Sequence, residues 1–174
     1  MKQVIIVLLV FASYVSFPHF SFATSSYILP YPSAMPGSKT YPLHRMLEKV
    51  LRYWYFGDYG GFAYNRQLSD KYLVEAKTLF EYKQYVLALK ALSTSNYYFR
   101  QMSSSFTHTP SDKNGRDEKV ALMKKAAEKH LEELRRLKAN LPKDFRWQDE
   151  NAQVTELHIS RELDYTLNMR KEAL

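Results

Sequence analysis

Apolar residues that recur every seven positions between residues 116 and 141 constrain the fold of this chain more than any other feature. The positions form two series, in which His130 is the one residue that is not apolar: Val120, Ala127, Leu134 and Leu141, and Met123, His130 and Leu137. Two interleaved series of this kind place their side chains along one side of a long helix that packs lengthwise against other helices. The pattern predicts a helical bundle or a short coiled coil, and it leaves a homodimer open.

Three segments before this helix also show helical periodicity. Pro42 suits the first turn of a helix, where the N–H that proline lacks would be unpaired anyway. The apolar positions that follow share one helix face: Leu43, Met46, Leu47, Val50, Leu51 and Trp54. Asp58-Tyr-Gly-Gly then predicts a turn.

Further helices are expected over residues 63–81 and 84–102, and their short connection predicts an antiparallel hairpin. The long fourth helix should begin near Asp117, as its cap, and end near Asn140. Phe145 and Trp147 are expected to be apolar anchors in the next loop. A fifth helix is expected over residues 149–172, although its apolar residues define no narrow stripe.

The expected fold is therefore an all-α bundle of about five helices with an extended, proline-rich N-terminal arm. The chain has only five glycines and few short alternating runs, which argues against a β-sandwich or barrel. It has no cysteine, so core packing alone must stabilise the fold.

Residues 1–23 have the layout of a secretory signal peptide. Lys2 gives a positive start, residues 4–12 are an unbroken apolar run, and Ser21 and Ala23 precede a possible cleavage site. We therefore expect an extracytoplasmic protein, secreted or periplasmic, which argues against nucleic-acid partners. An uncleaved leader would instead tether the protein to a membrane.

The expected organisation along the chain has five parts. They are the leader (1–23), the proline-rich arm (24–42), helices one to three (43–102), a linker (103–115), and helices four and five of the same bundle (116–174).

The arm and the segment after it resemble a known type of protein. Residues 27–36 read Tyr-Ile-Leu-Pro-Tyr-Pro-Ser-Ala-Met-Pro, and residues 41–50 read Tyr-Pro-Leu-His-Arg-Met-Leu-Glu-Lys-Val. With the leader, they resemble a bacterial family of exported, all-helical proteins of unknown function. The resemblance covers residues 27–102 and implies an exported helical bundle. It implies no catalytic residue, because the family has none assigned.

The charge and the aromatic content of the chain both suggest a binding surface. The net charge is +7, which attracts anionic envelope polymers or lipid headgroups, although it also suits ordinary solubility. The chain has 14 Tyr, 10 Phe and 2 Trp, and Tyr and Trp offer large rigid contact areas. The expected binding residues are Tyr31, Met35, Trp54, Tyr55, Tyr59, Phe62, Arg52 and Arg66. The alternative is that most of these rings fill the core.

Histidines at helical spacing from glutamates are the candidate metal ligands. The pairs are His44 with Glu48, His158 with Glu162, and His130 with Glu133. Each pair would place an imidazole and a carboxylate on one helix face. The alternative is solvated surface pairs, and the place of His130 in the seven-residue pattern favours the bundle interior.

The sequence favours a non-enzymatic envelope or extracellular module that binds another protein or an anionic envelope polymer, with no cofactor. A metal- or stress-sensing extracytoplasmic protein that uses His44, His130 or His158 is the alternative. An unrecognised hydrolase is a third hypothesis, but no nucleophile motif accompanies it.

Overall fold

The computed structural model describes residues 26–105, 113–148 and 154–174. They form an all-α bundle with one small sheet, which confirms the expected fold class. The elements are α1 (Tyr41–Leu51), a 3-10 turn (Arg52–Trp54), α2 (Gly57–Glu81), α3 (Tyr85–Ser104), α4 (Lys113–Asn140), β1 (Phe145–Gln148), β2 (Val154–Leu157) and α5 (Ile159–Lys171). The predicted leader, and residues 106–112 of the predicted linker, lie outside the described residues.

Helices α2 and α3 form the hairpin that their short connection predicts. Lys83 adopts φ 59°, and the Gln84 amide donates to the Leu79 carbonyl at 2.8 Å. This is the hydrogen bond of a left-handed helix cap, which ends α2 and reverses the chain. Further along, the Ser95 hydroxyl donates to the Ser69 carbonyl at 2.8 Å. Both side chains are small, so the two helices lie close together there.

Helix α4 packs on this hairpin through the face that the seven-residue pattern predicts. The buried members are Ala127, His130, Leu134 and Leu137, and the partly buried members are Val120, Met123 and Leu141. Asp117 is not the cap, because α4 begins at Lys113.

Strand β2 occupies part of the predicted fifth helix, so α5 is shorter than expected. β1 and β2 pair antiparallel with Phe145 opposite Leu157, and both side chains pack against the main core. The Phe145 ring centroid lies 4.6 Å from that of Tyr85. Burial of this cross-strand pair favours strands over helix, because strand preference depends strongly on packing. Trp147 is not a buried anchor, since it is exposed.

Helix α2 begins at Gly57 rather than near residue 63, and two glycines explain the difference. Gly57 has φ 69°, a left-handed conformation that glycine adopts without strain. A Cβ on Gly60 would lie only 2.7 Å from the carbonyl carbon of Tyr55. Gly57 and Gly60 therefore allow α2 to pack directly against the 3-10 turn and the residues that follow it.

Replacing Gly60 by alanine should lower the free energy of unfolding by about 1–3 kcal/mol, because the added methyl group must displace backbone. Gly61→Ala is the matched control, since its nearest neighbour would be Ser105 Oγ at 3.7 Å. This control should raise stability by roughly 0.5–1 kcal/mol through helix propensity. Urea unfolding followed by circular dichroism measures both variants. Equal stabilities would contradict the close approach at Gly60.

Candidate binding surface

Helix α1 turns its apolar face to solvent. The apolar side chains of that face, each 48% to 59% exposed, are Leu43, Met46, Leu47, Val50 and Leu51. We call these five residues the α1 face. They lie three and four positions apart, so they form a continuous stripe on the helix. Contiguous exposed apolar surface on a folded domain marks a site of contact with another protein or with a membrane.

A buried glutamate holds the opposite side of α1 on the bundle. The Glu48 carboxylate accepts hydrogen bonds from the Tyr72 hydroxyl and the Lys71 ammonium group, both from α2. The Glu48 backbone carbonyl accepts a hydrogen bond from the Tyr64 hydroxyl at 3.0 Å. Glu48 is the one buried residue of α1. The attachment of α1 is therefore polar, and this leaves the apolar stripe facing outward.

The chain directly after α1 also carries exposed aromatic rings. Tyr53, Trp54 and Phe56 are each 74% to 82% exposed. Tyr55 turns inward between them, where its hydroxyl donates to Gln67 at 2.8 Å. Three exposed rings thus follow the α1 face in the chain, and the fourth ring connects this segment to α2.

Basic residues accompany the α1 face. Between residues 39 and 56 the chain carries four basic residues, Lys39, Arg45, Lys49 and Arg52, and one acidic residue, Glu48. Lys39, Lys49 and Arg52 are exposed, whereas Glu48 is buried. The solvent-facing charge of this segment is therefore positive, and such a surface attracts anionic groups.

A cavity of about 300 Å³ lies beside the 3-10 turn. Its lining residues are Arg52, Tyr55, Gly61, Tyr64, Asn65, Tyr97, Tyr98 and Gln101. The ring centroids of Tyr64 and Tyr98 are 6.1 Å apart in an edge-on arrangement. Burial raises the pKa of Tyr64 to about 12, so its hydroxyl stays protonated at neutral pH. This hydroxyl serves as a hydrogen-bond donor to α1.

A second polar cluster lies inside the bundle and consists of Asp70, His130 and Arg170, which we call the core triad. All three side chains are buried, and they come from α2, α4 and α5. His130 Nε2 lies 2.8 Å from Asp70 Oδ1, and Arg170 Nε donates to His130 Nδ1 at 3.0 Å. Burial lowers the pKa of His130, which favours the neutral ring. Since Nδ1 accepts from Arg170, Nε2 carries the proton and donates to Asp70.

The arm contacts the core triad as well. The Tyr27 hydroxyl donates to Asp70, and Arg66 Nη1 lies 3.4 Å from the same carboxylate. Burial lowers the pKa of Arg170 to about 9, so the side chain remains a cation at neutral pH. Its guanidinium carbon lies 3.8 Å from the centroid of the Phe99 ring. These contacts join the arm to α2, α3, α4 and α5.

The predicted binding residues divide between the surface and the interior. Tyr31, Trp54 and Arg52 are exposed, and Met35, Tyr55 and Tyr59 are partly buried. Phe62 does not belong to a binding surface, because it is buried in a core cluster with Phe99. Arg66 is directed inward, where it bonds to Tyr27 and Asp70.

The structure gives each predicted metal ligand a different partner. His44 Nδ1 lies 3.0 Å from the Thr40 carbonyl, while Glu48 points into the bundle. His158 pairs with Asp144 at 2.8 Å, and Glu162 lies beside Arg161. Glu133 binds Lys77 and Lys129 instead of sharing a ligand with His130. Across residues 26–105, 113–148 and 154–174, no three such side chains are grouped as a metal site would require.

The α1 face is the strongest candidate site. The sequence shows that its apolar residues share one side of the helix, but it does not show that this side faces solvent. Glu48 is the sequence feature that could have indicated this orientation, since a lone acid opposite an apolar stripe can attach a helix by its polar side.

Within the described segments, no helix has the length and apolarity needed to cross a membrane. No family model, curated protein or solved structure matches the chain.

Proposed function

We propose that this protein is a non-enzymatic binding module that contacts a component of the cell envelope through the α1 face. The observation that carries the proposal is the orientation of α1, with its apolar stripe in solvent and Glu48 buried. Apolar surface is more stable when it is removed from water. A partner that covers the stripe would supply this burial.

Charge and sequence support an envelope partner. Lys39, Lys49 and Arg52 favour a partner with anionic groups, because complementary charge speeds and orients association. The leader-like residues 1–23 support an extracytoplasmic location. An envelope protein and an anionic envelope polymer both fit these two properties.

The polar groups of the interior support binding rather than catalysis. The core triad is buried and its members bond to one another. A catalytic group must come within hydrogen-bond distance of a substrate, whereas the side chains of the core triad bond to one another. Their role is to join helices.

Photo-cross-linking in producing cells tests the proposal. A photoreactive amino acid at Met46, in the middle of the α1 face, should give cross-linked adducts on illumination. The matched control is the same amino acid at Tyr82, which is 72% exposed at the turn between α2 and α3. Mass spectrometry of the adducts distinguishes protein, polymer and lipid. Adducts at Tyr82 but not at Met46, or at neither position, would contradict the proposal.

A further inference from the structure

We infer that the partner of the α1 face is an anionic lipid surface, on which α1 lies parallel to the membrane plane. This inference rests on the proposed function and names its partner. Three features of the described residues carry it: the apolar stripe, the aromatic rings that follow it, and the charge beside it.

The stripe has the form of an interfacial helix. Amphipathic helices that lie on membranes bury one apolar face among the headgroups and acyl chains and keep their polar face in water. In α1 the buried carboxylate of Glu48 already has hydrogen-bond partners in the bundle, Lys71 and Tyr72. The α1 face can therefore enter lipid without leaving a buried charge unpaired.

The aromatic rings lie where an interfacial helix uses them. Tyr and Trp concentrate at membrane–water interfaces, because each combines an apolar ring with a polar tip. Tyr53, Trp54 and Phe56 follow α1 directly and are exposed. They would extend the apolar contact beyond the C-terminal end of the helix.

The charge pattern favours anionic lipid over a second copy of the chain. Lys39, Lys49 and Arg52 are exposed, and no exposed acid lies between residues 39 and 56. A symmetric dimer through the α1 face would bring this positive charge against itself. Anionic headgroups would instead neutralise it, since basic residues close to such a membrane are attracted to its surface potential.

The sequence before the described residues agrees with this partner. Residues 4–12 are apolar, so an uncleaved leader would itself attach the chain to lipid. A cleaved leader would leave the α1 face as the means of attachment. The chain that begins at Thr24 is the form to test, because the leader alone could bind lipid. Every buried side chain described in the structure lies between Tyr27 and Arg170, so this form retains the described core.

Vesicle flotation tests the inference. The chain from Thr24 should partition at least ~10-fold more strongly onto phosphatidylcholine vesicles containing phosphatidylglycerol than onto phosphatidylcholine alone. Met46→Glu should reduce this partitioning by about 10-fold or more, because it places a charge in the apolar stripe. Tyr82→Glu is the matched control and should bind like the wild type. In a Trp147→Phe background, the emission of Trp54 should shift to the blue on binding.

The outcomes separate the inference from the proposed function. No vesicle binding, or equal binding by wild type and Met46→Glu, overturns the lipid inference. If photo-cross-links at Met46 then join a protein or a polymer, the proposed function stands without it. If photo-cross-linking at Met46 gives no adduct either, the lipid inference and the proposed function are both contradicted. A dimer that Met46→Glu dissociates in sedimentation assigns the face to a second copy and overturns the inference.

Discussion

Replacing Asp70 by asparagine should lower the free energy of unfolding by about 3–5 kcal/mol. Asp70 is the acceptor for His130 in the core triad, and Arg170 is bound on the other side of the same ring. Without the carboxylate, a fully buried guanidinium loses its anionic counterpart, and an unpaired buried charge is strongly destabilising. The urea midpoint, followed by circular dichroism, measures the effect.

A double-mutant cycle with Arg170→Met controls this prediction. The double variant should lose less stability than the sum of the two single losses, because removing the cation also removes the unpaired charge. If Asp70→Asn alone does not fold, recovery of helicity in the double variant gives the same information. Losses that add within about 0.5 kcal/mol would show that Asp70 and Arg170 act independently.

Replacing Glu48 by alanine should detach α1 while the rest of the bundle stays folded. The carboxylate of Glu48 accepts hydrogen bonds from Lys71 and Tyr72, and the apolar side chains of α1 face solvent. A hydrogen bond to a charged group contributes about 1.5–3 kcal/mol, and a helix of this length is marginal alone. A loss of about 2 kcal/mol should speed amide exchange in α1 roughly 30-fold.

Hydrogen exchange measured by mass spectrometry tests this local effect. Lys49→Ala is the matched control, because Lys49 is the exposed neighbour of Glu48 and takes no part in the hydrogen bonds of Glu48 to Lys71 and Tyr72. Its exchange over residues 41–51 should match that of the wild type. Unchanged exchange over the same residues in Glu48→Ala would show that other contacts hold α1.

The apolar patterns of α4 and α1 are equally regular, but the face of α4 is buried and the face of α1 is exposed to solvent. In α4 the pattern correctly predicts the packing face, and Ala127 and Leu134 are fully buried. In α1 the stripe around Met46 is exposed. Periodicity shows which side chains share a face of a helix, but it does not show what covers that face.

Contacts between distant parts of the chain explain the other differences. Phe145 forms a strand instead of a loop because Leu157 pairs with it and the ring of Tyr85 lies beside it. Gly60 lies in a helix instead of a turn because it packs against the Tyr55 backbone. Local propensity is a weak guide where such contacts decide the outcome. The predicted leader and the family resemblance stay predictions.

The amino-acid sequence alone predicts five helices, the hairpin of α2 and α3, the packing face of α4 and the basic, aromatic character of residues 39–56, but it does not predict β2. These properties follow from local spacing and composition. The tertiary fold determines that the α1 face is exposed, because the partners of Glu48 lie on α2. It likewise decided that Asp70, His130 and Arg170 meet, since packing brings three helices together around them. The candidate site therefore depends on the hydrogen bonds of Glu48, which hold α1 with its predictable apolar stripe toward solvent.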